Sequence, residues 1–92
     1  MKIEEKTKLI ENAVQDFGKT LHDFRVKKGL SLQDMSEIVS CSPSYVWRIE
    51  NHRRNPDLDV RLRILEKGLG FTAEDIYEYL KKYLQQNDDV VG

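Results

Sequence analysis

Ser31-Leu32-Gln33-Asp34-Met35-Ser36-Glu37-Ile38-Val39-Ser40-Cys41-Ser42-Pro43-Ser44-Tyr45-Val46-Trp47-Arg48-Ile49-Glu50 carries two helix start signals in close succession. Ser31 stands three residues before Asp34, so its hydroxyl can accept from the backbone while the acid reaches back and favours the positive helix end. The helix that begins there directs Leu32, Met35, Ile38 and Val39 inward and ends near Ser40-Cys41. Ser42-Pro43 is the second signal, because serine caps and proline is pre-set for the first helical position, where its missing N–H costs nothing. That helix runs from Pro43 to about Asn51, with Val46 and Ile49 pointing into the core. Two short helices joined by so few residues form the helix-turn-helix plan.

Outward from this pair the apolar spacing of three and four recurs and strand-like alternation is weak, which makes the chain all-α. Upstream, Ile3, Ile10, Val14, Phe17, Leu21 and Phe24 form one stripe over about residues 3–28, closed by Gly29. Gly18 is a point where this region could break or bend, so one long helix and two shorter ones are both open. Downstream, His52-Arg53-Arg54-Asn55-Pro56 lacks an apolar anchor and ends in proline, and reads as an exposed basic loop. Asp57 caps a further helix with Leu58, Leu62, Ile64 and Leu65 inward, ended by Gly68 and Gly70. Thr72 and Asp75 repeat the capping box before a last helix with Ile76, Tyr79, Leu80, Tyr83 and Leu84. The expected organisation is an N-terminal helical extension over 1–16, a helix-turn-helix domain over 17–84 and a frayed polar tail over 85–92.

The 92 residues, 39% of them hydrophobic, suit one modest core and leave no room for a second domain. Cys41 is the single cysteine, so an intramolecular disulfide is excluded, and no cluster around it has metal-ligand spacing. No metal and no cofactor is expected. The chain shows no signal peptide and no apolar run of membrane-crossing length, and a soluble cytoplasmic protein is expected. The net charge is −1, but it is unevenly spread: 3 basic and 4 acidic side chains over 1–16, 10 and 7 over 17–70, and 2 and 5 over 71–92. The middle is therefore +3, and Arg48, Arg53, Arg54, Arg61 and Arg63 fall within it where phosphate neutralisation would need them.

Phe17-Gly18-Lys19-Thr20-Leu21 through Arg25, Gly29-Leu30-Ser31, Met35, Ser36, Val39, Ser42 to Glu50 and Arg54-Asn55-Pro56 together resemble the Xre/Cro repressor family, whose domain is lambda-repressor-like. The resemblance covers roughly residues 17–80 and is spread over many spaced positions. It implies a five-helix bundle whose third helix enters the major groove of DNA, with dimers on paired half-sites; here an N-terminal helical extension and an extended last helix would be added. This chain departs from the family at Ser36 (commonly alanine), at Ser40 (commonly glycine) and at Trp47 (usually small or polar). Ser40 would then adopt a left-handed conformation at some cost.

Helix periodicity turns Pro43, Ser44, Trp47 and Arg48 away from Val46 and Ile49, making them the candidate base readers. Arg48 leads, since a guanidinium fork matches guanine O6 and N7. Ser44 discriminates poorly and Pro43 offers only apolar contact. Trp47 has two readings, a contact to thymine methyls or sugars and a core aromatic, which remain open here. The resemblance matches Tyr45, Asn51, His52, Arg53 and Arg54 to positions that contact the DNA backbone, with Gln33, Ser42 and the capped helix starts assisting. It implies that Arg25 and Glu50 pair internally and orient the reading helix. His52 is given no special role, and Cys41 is read as a buried structural thiol.

The expected partner is double-stranded DNA, bound by a homodimer whose contact lies on either the N-terminal stripe or the last helix, with no membrane. With no room for an inducer domain, concentration or a partner protein would regulate it. A transcriptional repressor is the leading reading. The alternative is a protein-interaction module of the same fold, an antitoxin or anti-regulator using Trp47 and Tyr45 as its contact patch. An enzyme is not expected: no phosphate loop, zinc-binding histidine pair or nucleophile elbow is present, and His22 and His52 lack catalytic neighbours.

Overall fold

In a computed structural model, which describes the backbone of residues 2–91 and the side chains of 2–86, the chain is all-α, with no strand among the described residues. The first helical region is two helices, α1 (Ile3–Gln15) and α2 (Phe17–Lys27). The break falls at Asp16 rather than at Gly18. Asp16 leaves helical geometry at φ −151° and its carboxylate accepts from the Lys19 N–H at 3.1 Å, so one residue ends α1 and caps α2. At the far end of α2, Gly29 takes φ +70°; its N–H donates to Val26 and that of Leu30 to Arg25, which satisfies the last carbonyls as a Schellman motif.

The helix pair follows as α3 (Leu32–Val39) and α4 (Pro43–Glu50). Ser31 and Asp34 make the reciprocal capping box, each hydrogen bond 2.9 Å long. Ser42 Oγ accepts from the Tyr45 N–H at 3.1 Å, with Pro43 in the first turn. Between the helices Ser40 is left-handed at φ 58°. Glycine meets no Cβ penalty there, so Ser40→Gly is expected to be neutral or to stabilise by up to about 1 kcal/mol, measured as the shift of the urea midpoint. A loss above about 1 kcal/mol would show that the serine side chain contributes something beyond tolerance.

α5 (Leu58–Arg63), capped by Asp57, runs without interruption into a π-helical segment, Ile64–Gly68. α6 (Ala73–Val91) starts from the Thr72–Asp75 capping box. Its backbone is helical to Val91, and the tail expected over 85–92 lies mostly outside the residues whose side chains are described.

One core joins these elements: Ile10 and Ala13 of α1, Leu21 of α2, Met35 and Val39 of α3, Val46 and Ile49 of α4, Ile64 and Leu65 of the π segment, and Tyr79 of α6. α1 packs on both α2 and α6, and Lys6 Nζ donates to Asp75 Oδ2 at 2.6 Å, so the N-terminal stripe is used within its own chain. Burial works against the charge on Asp75, but the hydrogen bonds from Lys6 and from Thr72 prevail and hold its carboxyl below the ordinary range. Three residues expected to point inward do not. Ile3 lies in the first turn of α1 and is exposed; Ile38 and Leu58 keep about two-fifths of their surface in solvent. Phe71 and Leu69, in the loop before α6, are buried in their place.

Candidate nucleic-acid interface

α4 is held from inside. Val46 and Ile49 are fully buried, and Glu50, at the last helical position, turns inward although it is charged. Arg25 donates to it in a fork, Nε to Oε2 at 2.7 Å and Nη2 to Oε1 at 2.9 Å, while Arg25 Nη1 donates to the Leu30 carbonyl at 2.9 Å. His22 Nδ1 meets the same Oε1 at 2.9 Å. The Glu50 hydrogen bond raises the Arg25 pKa above its usual value and outweighs the opposing effect of burial. A bidentate, nearly dry pair of this kind fixes direction as well as distance, so α4 is oriented on α2.

Gly18 of α2 lies against the backbone of α4. A Cβ there would overlap the Ile49 carbonyl oxygen, so the absence of a side chain lets the two backbones meet. Beyond Glu50 the chain turns through Asn51 and then His52, which is left-handed at φ 59°. The His52 N–H donates to Ile49 and the Arg53 N–H to Arg48, ending α4 as a second Schellman motif without glycine.

With its inner face committed, α4 presents Ser44, Trp47 and Arg48 to solvent, and Pro43 is half-buried beside them. Trp47 is 44% exposed, so the core reading of this aromatic does not hold. Asn51, Arg53 and Arg54 are exposed in the adjoining turn. Asn51 Nδ2 donates back to the Trp47 carbonyl at 2.9 Å, which leaves its amide oxygen outward. Tyr45 is half-buried and lies under the Arg54 guanidinium at 5.7 Å, a cation–π contact that sets the direction of that arginine. At the start of α3, Gln33 is exposed and its amide donates to Glu37 at 2.9 Å. The Ser42 hydroxyl is occupied as a cap.

The arginine cluster divides. Arg61 is buried: it donates to the Pro56 carbonyl at 2.9 Å, to Asn55 and to the Tyr79 hydroxyl at 3.3 Å, and lies between the rings of Phe17 and Tyr83. Tyr79 titrates above its ordinary value, because burial outweighs the opposing pull of Arg61. Arg63 Nε donates to the Val39 carbonyl at 2.8 Å and its Nη2 contacts Cys41 Sγ at 3.3 Å, which ties α5 to the end of α3. Both are structural, contrary to the phosphate role expected for them. Among the described residues, Arg48, Arg53 and Arg54 have no carboxylate within 4 Å and remain available. Cys41 is half-buried rather than buried.

Sequence reasoning missed two contacts. His22 on Glu50 was invisible because its partner is 28 residues away, and His52, read as merely solvated, is 2.7 Å from Asp16 Oδ1. Lys19 and Asp23, four residues apart on α2, also pair at 2.7 Å, but that pair is exposed and contributes little.

Two short helices meeting through a tight left-handed turn, the second with a buried inner face and an exposed polar outer face, define the helix-turn-helix class of nucleic-acid-binding domains. A model of the helix-turn-helix domain family matches residues 16–78. The chain belongs to that family, and its membership points to DNA as the ligand. No curated protein and no solved structure gave a match. Among the described residues no cluster of side chains could hold a metal ion, and no helix is long and apolar enough to cross a membrane.

Proposed function

We propose that this protein is a sequence-specific transcriptional regulator of the Xre/Cro type, a cytoplasmic repressor that binds DNA as a dimer and catalyses no reaction. The observation that carries the reading is the fixed outward face of α4. Glu50 is clamped by Arg25, so Ser44, Trp47 and Arg48 are presented together, flanked by Arg53 and Arg54. In this reading Arg48 recognises guanine, Trp47 lies along thymine methyls or sugars, and Pro43 and Ser44 fill the groove without discriminating. Tyr45, Asn51, Arg53 and Arg54 engage phosphates and set the register, with Gln33 and the capped helix starts alongside. We assign the dimer contact to the outer face of α6, where Tyr77 and Leu84 lie seven residues apart and are 64% and 54% exposed.

Selection of bound sequences from random duplexes tests the reading and reports half-site spacing. On an enriched site, Arg48→Ala is expected to lose about 1–3 kcal/mol and to relax one base position. Arg53→Ala is expected to weaken all sequences alike and to reduce the salt slope by about 1. If both variants bound like the parent, α4 would not be the reading element. Failure to enrich any sequence at low salt would instead favour a protein-interaction module built on exposed Trp47, an antitoxin or anti-regulator.

A further inference from the structure

His52 occupies an unusual place. It follows α4 directly, holds a left-handed conformation that glycine or asparagine would adopt more readily, and precedes Arg53 and Arg54. Its Nε2 is 2.7 Å from Asp16 Oδ1, the same oxygen that accepts from the Lys19 N–H at 3.1 Å. One carboxylate therefore caps α2 and grips the turn that leaves α4. Backbone N–H groups of His52, Arg53 and Arg54 tie the turn to α4 by donating to Ile49 and Arg48, Arg54 leans on Tyr45 and Asn55 is held by Arg61, whereas the contact with Asp16 ties the turn to the start of α2.

We infer that the Asp16–His52 pair positions the Arg53-Arg54 turn for DNA, so that protonation of His52 tightens binding. The inference rests on the DNA-binding reading above. Neutral His52 can share one hydrogen bond with Asp16, whereas imidazolium makes it charge-assisted, and histidine ordinarily changes charge between about pH 5 and 8. The hydrogen bond to His52 first, then that to the Lys19 backbone, holds the Asp16 carboxyl below its usual range, so Asp16 stays ionised through that interval. Its lowered pKa places loss of the carboxylate below the interval, so within it Asp16 remains a charged partner for the imidazole. The other charges around the site oppose this only in part. Asp16 and His52 line a cleft with Arg54 of the turn and Arg61 of α5, both cationic, and with uncharged Val14 and Gln15 of α1 and Tyr83 and Gln86 of α6. Lys19 of α2 also acts on Asp16.

The test is the affinity of the full chain for its enriched duplex at about pH 6 and about pH 8 and constant ionic strength. Both members of the pair are partly exposed, so a two- to fivefold tightening, roughly, is expected at the lower pH. Asp16→Asn keeps the α2 cap, since asparagine caps well, but removes the charge that the imidazolium meets. It is expected to lose that tightening while remaining folded by circular dichroism. His52→Asn, which tolerates positive φ, is expected to lose it as well. His22 meets Glu50 in the parent and in Asp16→Asn alike, so its contribution cancels between them. If His52 touched phosphate directly, Asp16→Asn would retain or enlarge the pH dependence, because the imidazolium would no longer be neutralised; that result overturns the inference. A parent protein without pH dependence overturns it too. Absence of binding at any pH and low salt would remove the DNA reading itself, a separate outcome from binding whose pH response ignores Asp16.

Discussion

Glu50→Ala is expected to destabilise the protein by about 3–5 kcal/mol, because it strands a largely buried guanidinium. The carboxylate is almost wholly buried and the Arg25 side chain is only 14% exposed. Alanine would leave the guanidinium facing a low-dielectric gap with only the Leu30 carbonyl as partner. Water can reach part of Arg25, which limits the loss to the lower half of that range if the helices separate slightly. For a chain of this size the melting midpoint would fall by roughly 12 °C or more. Glu50→Gln retains the shape and one acceptor and should cost less. Arg25→Met combined with Glu50→Leu removes both charges, and its loss should fall well short of the summed single losses, because neither variant then strands a charge. Urea unfolding of Glu50→Ala, Glu50→Gln, the double variant and its two single components checks this, and a Glu50→Ala loss below about 1 kcal/mol would mean that α4 is not clamped by this pair.

Gly18→Ala is expected to cost about 3 kcal/mol, although alanine is the better helix former by up to about 1 kcal/mol and would stabilise a free helix surface. The sign is decided by the Ile49 carbonyl. It is backbone, so it cannot swing aside as a side-chain terminus could, and α4 would have to move off α2 to admit the methyl group. That shift would also strain the forked Arg25–Glu50 contact on the same helix pair. DNA affinity should therefore fall together with stability. The measurement is again the unfolding midpoint, supplemented by duplex binding well below it. A variant as stable as the parent would show that the two backbones are not in contact.

The helix-turn-helix was legible in the residues because its signals are local. A capping box operates over three residues, proline at the first helical position acts within one turn, and a short link follows from Ser40-Cys41 lying between two such starts; that Ser40 would be left-handed was implied only by the resemblance, in which glycine is common at that position. Burial of Val46 and Ile49 follows from spacing alone. The outward set Ser44, Trp47 and Arg48 is the complement of that spacing, so the candidate face was readable as well. Less local features were not. Gly18 looked like a break, yet in α2 it permits a helix crossing, and only the position of Ile49 reveals the difference.

The sequence by itself left the start of α2 at Asp16 open; it determined where α3, α4, α5 and α6 begin and which face of α4 turns inward, and it nominated a candidate reading face. These depend on interactions a few residues apart, whose geometry the helix dictates. The tertiary structure alone decided that Arg61 and Arg63 are structural, that Trp47 is solvent-facing, that α1 is consumed by its own core and that Asp16 grips His52. An arginine's role depends on which acceptors the fold brings to it. Tyr79 and Val39, 18 and 24 residues from their arginines, reach them only once α6 and α3 have packed.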